Sequence, residues 1–209
     1  MRTLVIDTTS QFLSIALFDD DSLVAFDHRA IGRGHAEQLI PAIAALPGGG
    51  RADSIWVGCG PGSFTGIRVG IAAARALAFA WGAELQGFDS LALIAAKARS
   101  VSGEPHVGVA CEGGHGQWLV AEAPQAWHAL DPDAAVAMIE ADSVAGNCAN
   151  ALVAMRGWGR AIDSEPDTRA ARLMPADAMF DGATALYARA PDAKPGLAPG
   201  AGAAARPSL

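Results

Sequence analysis

The chain has 209 residues, 51% of them hydrophobic and 18% charged, with a formal net charge of −7. That length admits one domain or two compact lobes, and the apolar share excludes a wholly disordered chain. The acidic balance argues against a protein that grips a long nucleic acid by itself, because displacing counterions from phosphates calls for a positive surface.

The first thirty residues read as a β-meander. Thr3 to Asp7 is an apolar run ending in an acid, and Thr8-Thr9-Ser10-Gln11 has turn chemistry. Phe12 to Phe18 resumes with β-formers, Asp19-Asp20-Asp21 makes a second turn, and Leu23 to His28 makes a third strand. A helix is predicted between His35 and Leu46, where Leu39, Ile40 and Ile43 recur at helical spacing. Pro41 inside it removes one backbone donor and predicts a kink or a late start. Ser54 to Cys59 reads as a strand running into the loop Gly60-Pro61-Gly62-Ser63-Phe64-Thr65-Gly66. A helix over Ile67 to Trp81, a strand over Glu84 to Phe88 and a helix over Ser90 to Arg99 follow. Three antiparallel strands, helix, strand, helix, strand, helix is the element order of a ribonuclease-H-like lobe, the unit that actin-like ATPases use twice.

Beyond Ser102-Gly103-Glu104-Pro105 the apolar runs are shorter. His106 to Cys111 and Gln117 to Glu122 predict a hairpin, Asp131 to Glu140 and Cys148 to Met155 predict helices, and Asp142 to Ala145 a short strand. The expected organisation is therefore α/β with two lobes, residues 1–103 forming the first and 104–190 a reduced second. Residues 191–209 are Pro-, Gly- and Ala-rich and predict a disordered tail.

Three glycines and a proline between a strand and a helix let Gly60 to Gly66 turn backbone N–H groups toward one point, where the helix N-terminus favours a phosphate. The loop matches neither the Walker pattern nor the dinucleotide fingerprint, and a tight turn that packs the helix closely on the sheet is the simpler reading. Asp7 with Thr8, Thr9 and Ser10 is the second candidate: an acid followed by hydroxyls at a strand end can hold hydrated magnesium and phosphates, and it is also a common turn. The phosphate-binding candidates are thus Asp7, Thr8, Gly60, Gly62 and Ser63. His35 and Glu37 open the first predicted helix, where a carboxylate suits the helix dipole. The five histidines never fall at the i, i+3 or i, i+4 spacing of a helical metal pair. Ser63 lacks the G-x-S-x-G setting of a hydrolase nucleophile. Arg68 and Arg75, seven residues apart, share a helical face. Cys59, Cys111 and Cys148 form no C-x-x-C pair. The N-terminus lacks signal-peptide character, and Ile71 to Trp81 is interrupted by Arg75 and short for a bilayer, so a cytoplasmic protein without a membrane contact is expected.

The stretch GPGSFTGIRVG, Gly60 to Gly70, closely resembles the signature of the TsaB (YeaZ-like) family. LVIDTTS at Leu4 to Ser10, GHAEQLIPAI at Gly34 to Ile43 and ALYARAP at Ala185 to Pro191 match in order, strongly over the first hundred residues and thinly beyond. The resemblance implies an actin-like ATPase fold and a non-catalytic subunit, without a cofactor or metal of its own. That subunit would bind the transferase TsaD and support threonylcarbamoyl transfer to the N6 of the tRNA adenosine next to the anticodon. A small ATPase, TsaE, would join through the complex, tRNA would be met only indirectly, and a homodimer is expected when the chain is alone. Docking through the first lobe nominates Leu39, Ile43, Ala72, Arg75 and Phe79 as the partner interface. The hairpin Cys111-Glu112-Gly113-Gly114-His115-Gly116-Gln117-Trp118 departs from the family pattern, so no family role carries over to it. The competing expectation is a small actin-like ATPase or kinase that uses Asp7 and the Gly60–Gly66 loop.

Overall fold

Each lobe is organised by one mixed sheet, and the two sheets repeat one strand order. The computed structural model describes residues 1–122 and 126–188; the tail expected over 191–209 lies outside them. In the first sheet, β1 (Arg2–Asp7) pairs antiparallel with β2 (Phe12–Asp19) and parallel with β4 (Ser54–Gly58). The strand β3 (Ser22–Ala30) pairs antiparallel with β2, and β5 (Glu84–Phe88) pairs parallel with β4. The second sheet builds the same order from β6 (Val107–Gly114), β7 (Gln117–Ala121), β8 (His128–Leu130), β9 (Ser143–Ala145) and β10 (Arg160–Ile162). The second lobe is reduced in the length of its elements: β8, β9 and β10 have three residues each, and its helices α4 (Pro132–Met138) and α5 (Ala149–Arg156) have seven and eight.

Local chemistry explains the turns. The β2–β3 turn places Asp20 at φ 49, a left-handed conformation that Asp tolerates. The β6–β7 hairpin turns through His115 and Gly116 at φ 53 and 81, the two positive values of a primed two-residue turn. The helix α1 spans His35–Ala45 and runs through Pro41, so the late start expected from that proline is not observed. The helix α2 spans Phe64–Trp81, opening three residues earlier than its periodicity indicated because Ser63 caps it, its Oγ accepting from Gly66 N at 3.3 Å. Asp89 caps α3 (Ser90–Ser102), accepting from Leu91 N at 2.8 Å.

The packing is layered. One core lies between α1, α2 and the first sheet, around Leu4, Ile6, Leu39, Ile43, Ile55 and Ile67. The opposite face of that sheet, with Val5, Ala16 and Phe88, meets Leu93 of α3. Leu91, Ile94 and Ala98 of the same helix pack on Val107, Val109 and Leu119 of the second sheet. Beyond that sheet, α4 and α5 close the last core with Ala135, Ala149 and Leu152. The helix α3 is therefore shared by both lobes, although the boundary at 103 assigned it to the first.

The stretch 104–190 does not stay in the second lobe. After β10 the chain returns: Ser14 Oγ accepts from Thr168 N at 3.0 Å, and Ala170 and Ala171 join the first-sheet core. The strand β11 (Met179–Asp181) then pairs antiparallel with β5, adding a sixth strand to the first sheet. Strands of three residues carry few alternations: β9 was read at Asp142 to Ala145, but β8, β10 and β11 went unpredicted.

Candidate functional site

A cleft of about 770 Å³ opens between the lobes. One side is the β1–β2 turn (Thr9, Ser10, Gln11) and the start of α2 (Pro61 to Phe64, with Arg68); the other is the β6–β7 hairpin from Cys111 to His115. The phosphate-binding candidates Asp7, Thr8, Gly60, Gly62 and Ser63 do come together on the first-lobe side, but most of their polar groups are already engaged. The Asp7 carboxylate is buried and accepts three hydrogen bonds: from Thr9 N at 2.9 Å, Thr9 Oγ1 at 2.8 Å and Ser90 Oγ at 2.8 Å. Burial raises its pKa, and the bonds from Thr9 and Ser90 pull back against that. Thr8 Oγ1 donates to Gly66 O at 2.7 Å, and Ser63 N donates to Thr9 O at 2.6 Å.

The glycines of the loop serve this close approach. A Cβ added at Gly66 would overlap the Thr8 carbonyl oxygen, so only glycine lets α2 start against the β1–β2 turn. Gly60, at φ 103 and joined to Pro61 by a cis peptide bond, passes beneath Leu186, whose N–H bonds Cys59 O at 2.7 Å. Cys59 itself is buried, and that burial pushes its thiol up to about 12.

The remainder of the cleft mixes acidic and amide groups with the apolar side chains Leu91, Ile94 and Leu119. Glu112, Glu165 and Asn147 line it, and burial with Asp163 nearby raises the Glu165 carboxyl. Among the described lining residues the one Arg or Lys is Arg68, and its guanidinium is occupied. It lies 3.7 Å from the Phe64 ring centre and donates through Nε to Tyr187 Oη at 3.0 Å. No three His, Cys, Asp or Glu side chains stand together as a metal set among the described residues. The sequence reading missed Ser90, which closes the second oxygen of Asp7, because a serine at a helix start carries no signal of its own.

The nominated interface residues divide. Leu39 and Ile43 are 1% and 2% exposed, packed under α1 against the first sheet, and cannot meet a partner; this corrects their assignment. Recurrence at three and four residues marks one helix face without saying which way it turns, and the apolar stripe of α1 is its inner one. Ala72 and Phe79 do lie on the outer face of α2, Phe79 at 92% exposed. Arg75 is exposed, but its Nη2 donates to Ala183 O at 2.7 Å, so it fastens the returning chain as Arg68 does at Tyr187. Ile40, 47% exposed on α1, and Ala76 and Ala80 on α2 extend the outer apolar surface. With 18 residues and a mean hydropathy of 1.2, α2 would suffice by length and composition to cross a bilayer; here its Ile67, Ile71 and Ala74 are buried in the first-lobe core.

Two sheets that repeat one five-strand order, the first extended by β11, flank a cleft and a shared helix and define the actin-like ATPase fold, built from two ribonuclease-H-like lobes. A family model described as TsaD, tRNA N6-adenosine threonylcarbamoyltransferase, matches residues 29–190. The TsaB protein of tRNA threonylcarbamoyladenosine biosynthesis from Bacillus subtilis is 32% identical over 108 residues, 49% of this chain and 47% of that protein. Its namesake from Escherichia coli is 32% identical over 145 residues, 64% of this chain and 62% of that protein. The solved structure of YeaZ from Pseudomonas aeruginosa shares the fold, with a TM-score of 0.69 at 23% identity over 81% of this chain and 87% of that one. The chain belongs to this TsaD family, on its TsaB/YeaZ branch. Its matched stretch spans about half the length of the Bacillus subtilis relative.

Proposed function

We propose that this chain is the scaffold and activating subunit in threonylcarbamoyladenosine biosynthesis. It binds TsaD through the outer face of α1 and α2 and supports threonylcarbamoyl transfer to the N6 of the tRNA adenosine next to the anticodon, without performing the transfer. TsaE joins through the complex, and tRNA is met through TsaD. The observation that carries this reading is the apolar outer helical face, with Phe79 92% exposed at its end, beside a loop where the side chains of Asp7, Thr8 and Ser63 are bonded within the protein itself. Alanines at 72, 76 and 80 leave room for a partner helix to approach closely, and an uncovered face of this kind favours self-association when TsaD is absent. Cytoplasmic residence follows from the same reading.

The test is co-purification with the TsaD of the same cell. Wild type is expected to form a stable pair, and Ala72→Arg to lose it while remaining folded. Undiminished co-purification of the variant would remove the α2 face from the interface.

The open cleft beside Asp7 favours a second reading, a small ATPase or kinase. A calorimetric titration of the isolated chain with ATP separates the two. The scaffold reading expects weak binding or none; tight binding that is lost in Asp7→Ala would establish the enzyme.

A further inference from the structure

A second pocket, of about 500 Å³, lies at the opposite end of the first sheet from the cleft, where β1 and β4 begin and α2 ends. Arg2, Gly48, Arg51, Ala52, Asp53 and Trp81 line it. Local sequence builds it. The Pro47–Gly50 turn runs through three glycines at φ 69, 65 and 70, and Gly48 lies beneath the Arg2 guanidinium, 3.0 Å from its Nη1 to an added Cβ. Arg2 and Asp53 are tied through the backbone, Arg2 N donating to Asp53 Oδ2 at 2.8 Å and Asp53 N to Arg2 O at 2.9 Å.

The guanidinium groups of Arg2 and Arg51 have no hydrogen-bond or ion-pair partner among the described residues, in a chain whose net charge is −7. Most of the other arginines of the first lobe are used: Arg29 on Asp27, Arg68 on Tyr187 and Arg75 on Ala183. The Asp53 carboxylate in the same pocket offsets one of the two arginine charges, with Oδ2 held by Arg2 N, and leaves the pocket net positive, so an anion there gains charge-assisted contacts to both guanidinium groups. A guanidinium fork matches the oxygens of a phosphate, and the Trp81 indole gives the same pocket an apolar wall against which a base or ribose can lie.

We propose that this pocket binds a phosphate ester, carried by a mononucleotide or by an RNA backbone, with Arg2 and Arg51 on the phosphate and Trp81 beside the sugar or base. The site is separate from the interlobe cleft and from the α2 docking face, and it does not depend on the scaffold reading.

The experiment follows thermal unfolding of the full chain in phosphate, 5′-AMP or a short hairpin RNA, each against chloride at equal ionic strength so that general screening cancels. Phosphate and AMP should raise the unfolding midpoint saturably, AMP at lower concentration. Arg51→Gln should weaken binding on the order of tenfold, the loss of one charged hydrogen-bond partner, and Arg2→Gln combined with it should abolish the effect. Trp81→Phe should weaken AMP and spare phosphate. Competition between the hairpin and phosphate would assign the pocket to RNA, and binding of AMP alone would assign it to nucleotides; both support the site. The two arginines could instead serve only to balance the carbonyl ends of α2. The variants would then lower the midpoint equally in chloride and phosphate, and wild type would show no preference for phosphate. That result overturns the proposal.

Discussion

The loop that starts α2 and the outer face of the same helix are built in opposite ways. In the loop, Thr8 Oγ1, Ser63 N and the Asp7 carboxylate all have protein partners, and Gly66 sits so close to Thr8 that no side chain fits between them. Some fifteen residues along, Phe79 stands 92% exposed among alanines, with nothing among the described residues to cover it. The motif most visible in the sequence is thus occupied with holding the fold, and the surface free to bind is the less distinctive one.

Substitutions break this comparison in order of expected size. Gly66→Ala forces α2 away from the β1–β2 turn and should cost at least about 4 kcal/mol in denaturant unfolding, more than an ordinary helix glycine would. Leu39→Ala removes a side chain that is 1% exposed and should cost about 3 kcal/mol, the behaviour of a core residue. Phe79→Asp should change stability by no more than about 0.5 kcal/mol, yet weaken binding to TsaD by about 2 kcal/mol or more, which a titration of the two purified proteins measures. A loss of stability in Phe79→Asp as large as in Leu39→Ala would erase the distinction between the faces.

The smallest effect is a pH dependence. Burial pushes the Asp89 carboxyl up to about 6. A carboxyl whose folded pKa is raised binds its proton more tightly in the folded state, so its contribution is fully present below about pH 4. It is lost as the pH rises through about 6. Asp89→Asn keeps a capping side chain for α3 and should remove that decline. Unfolding midpoints of both proteins across this range are the check, and parallel curves would refute the assignment to Asp89.

Most of the first lobe was legible in the sequence. Its strands run five to nine residues between turns of Asp, Thr and Gly, long enough for alternation and turn chemistry to agree. The three-residue strands β8 and β10 were not, being too short for alternation to show, and neither was the return of residues 168–187 to the first sheet, which is decided by packing between segments far apart in the chain, Met179 on Phe88 and Thr168 on Ser14. At the site, the gathering of Asp7, Thr8 and Ser63 was readable from position at strand and helix ends. What occupies their hydrogen bonds was not, because Ser90 is supplied by a distant helix. Likewise the stripe of Leu39 and Ile43 was visible while its direction was not, and Ile40, one residue along, is the one that faces out.

The most direct test of the central claim is a reconstituted threonylcarbamoylation of tRNA with the TsaD of the same cell, with and without this chain. The account predicts that transfer depends on adding the chain, that Asp7→Asn of the chain, provided it folds, still supports it, and that Phe79→Asp does not. Transfer that proceeds equally well without the chain, or that is lost in a folded Asp7→Asn but kept in Phe79→Asp, would contradict it.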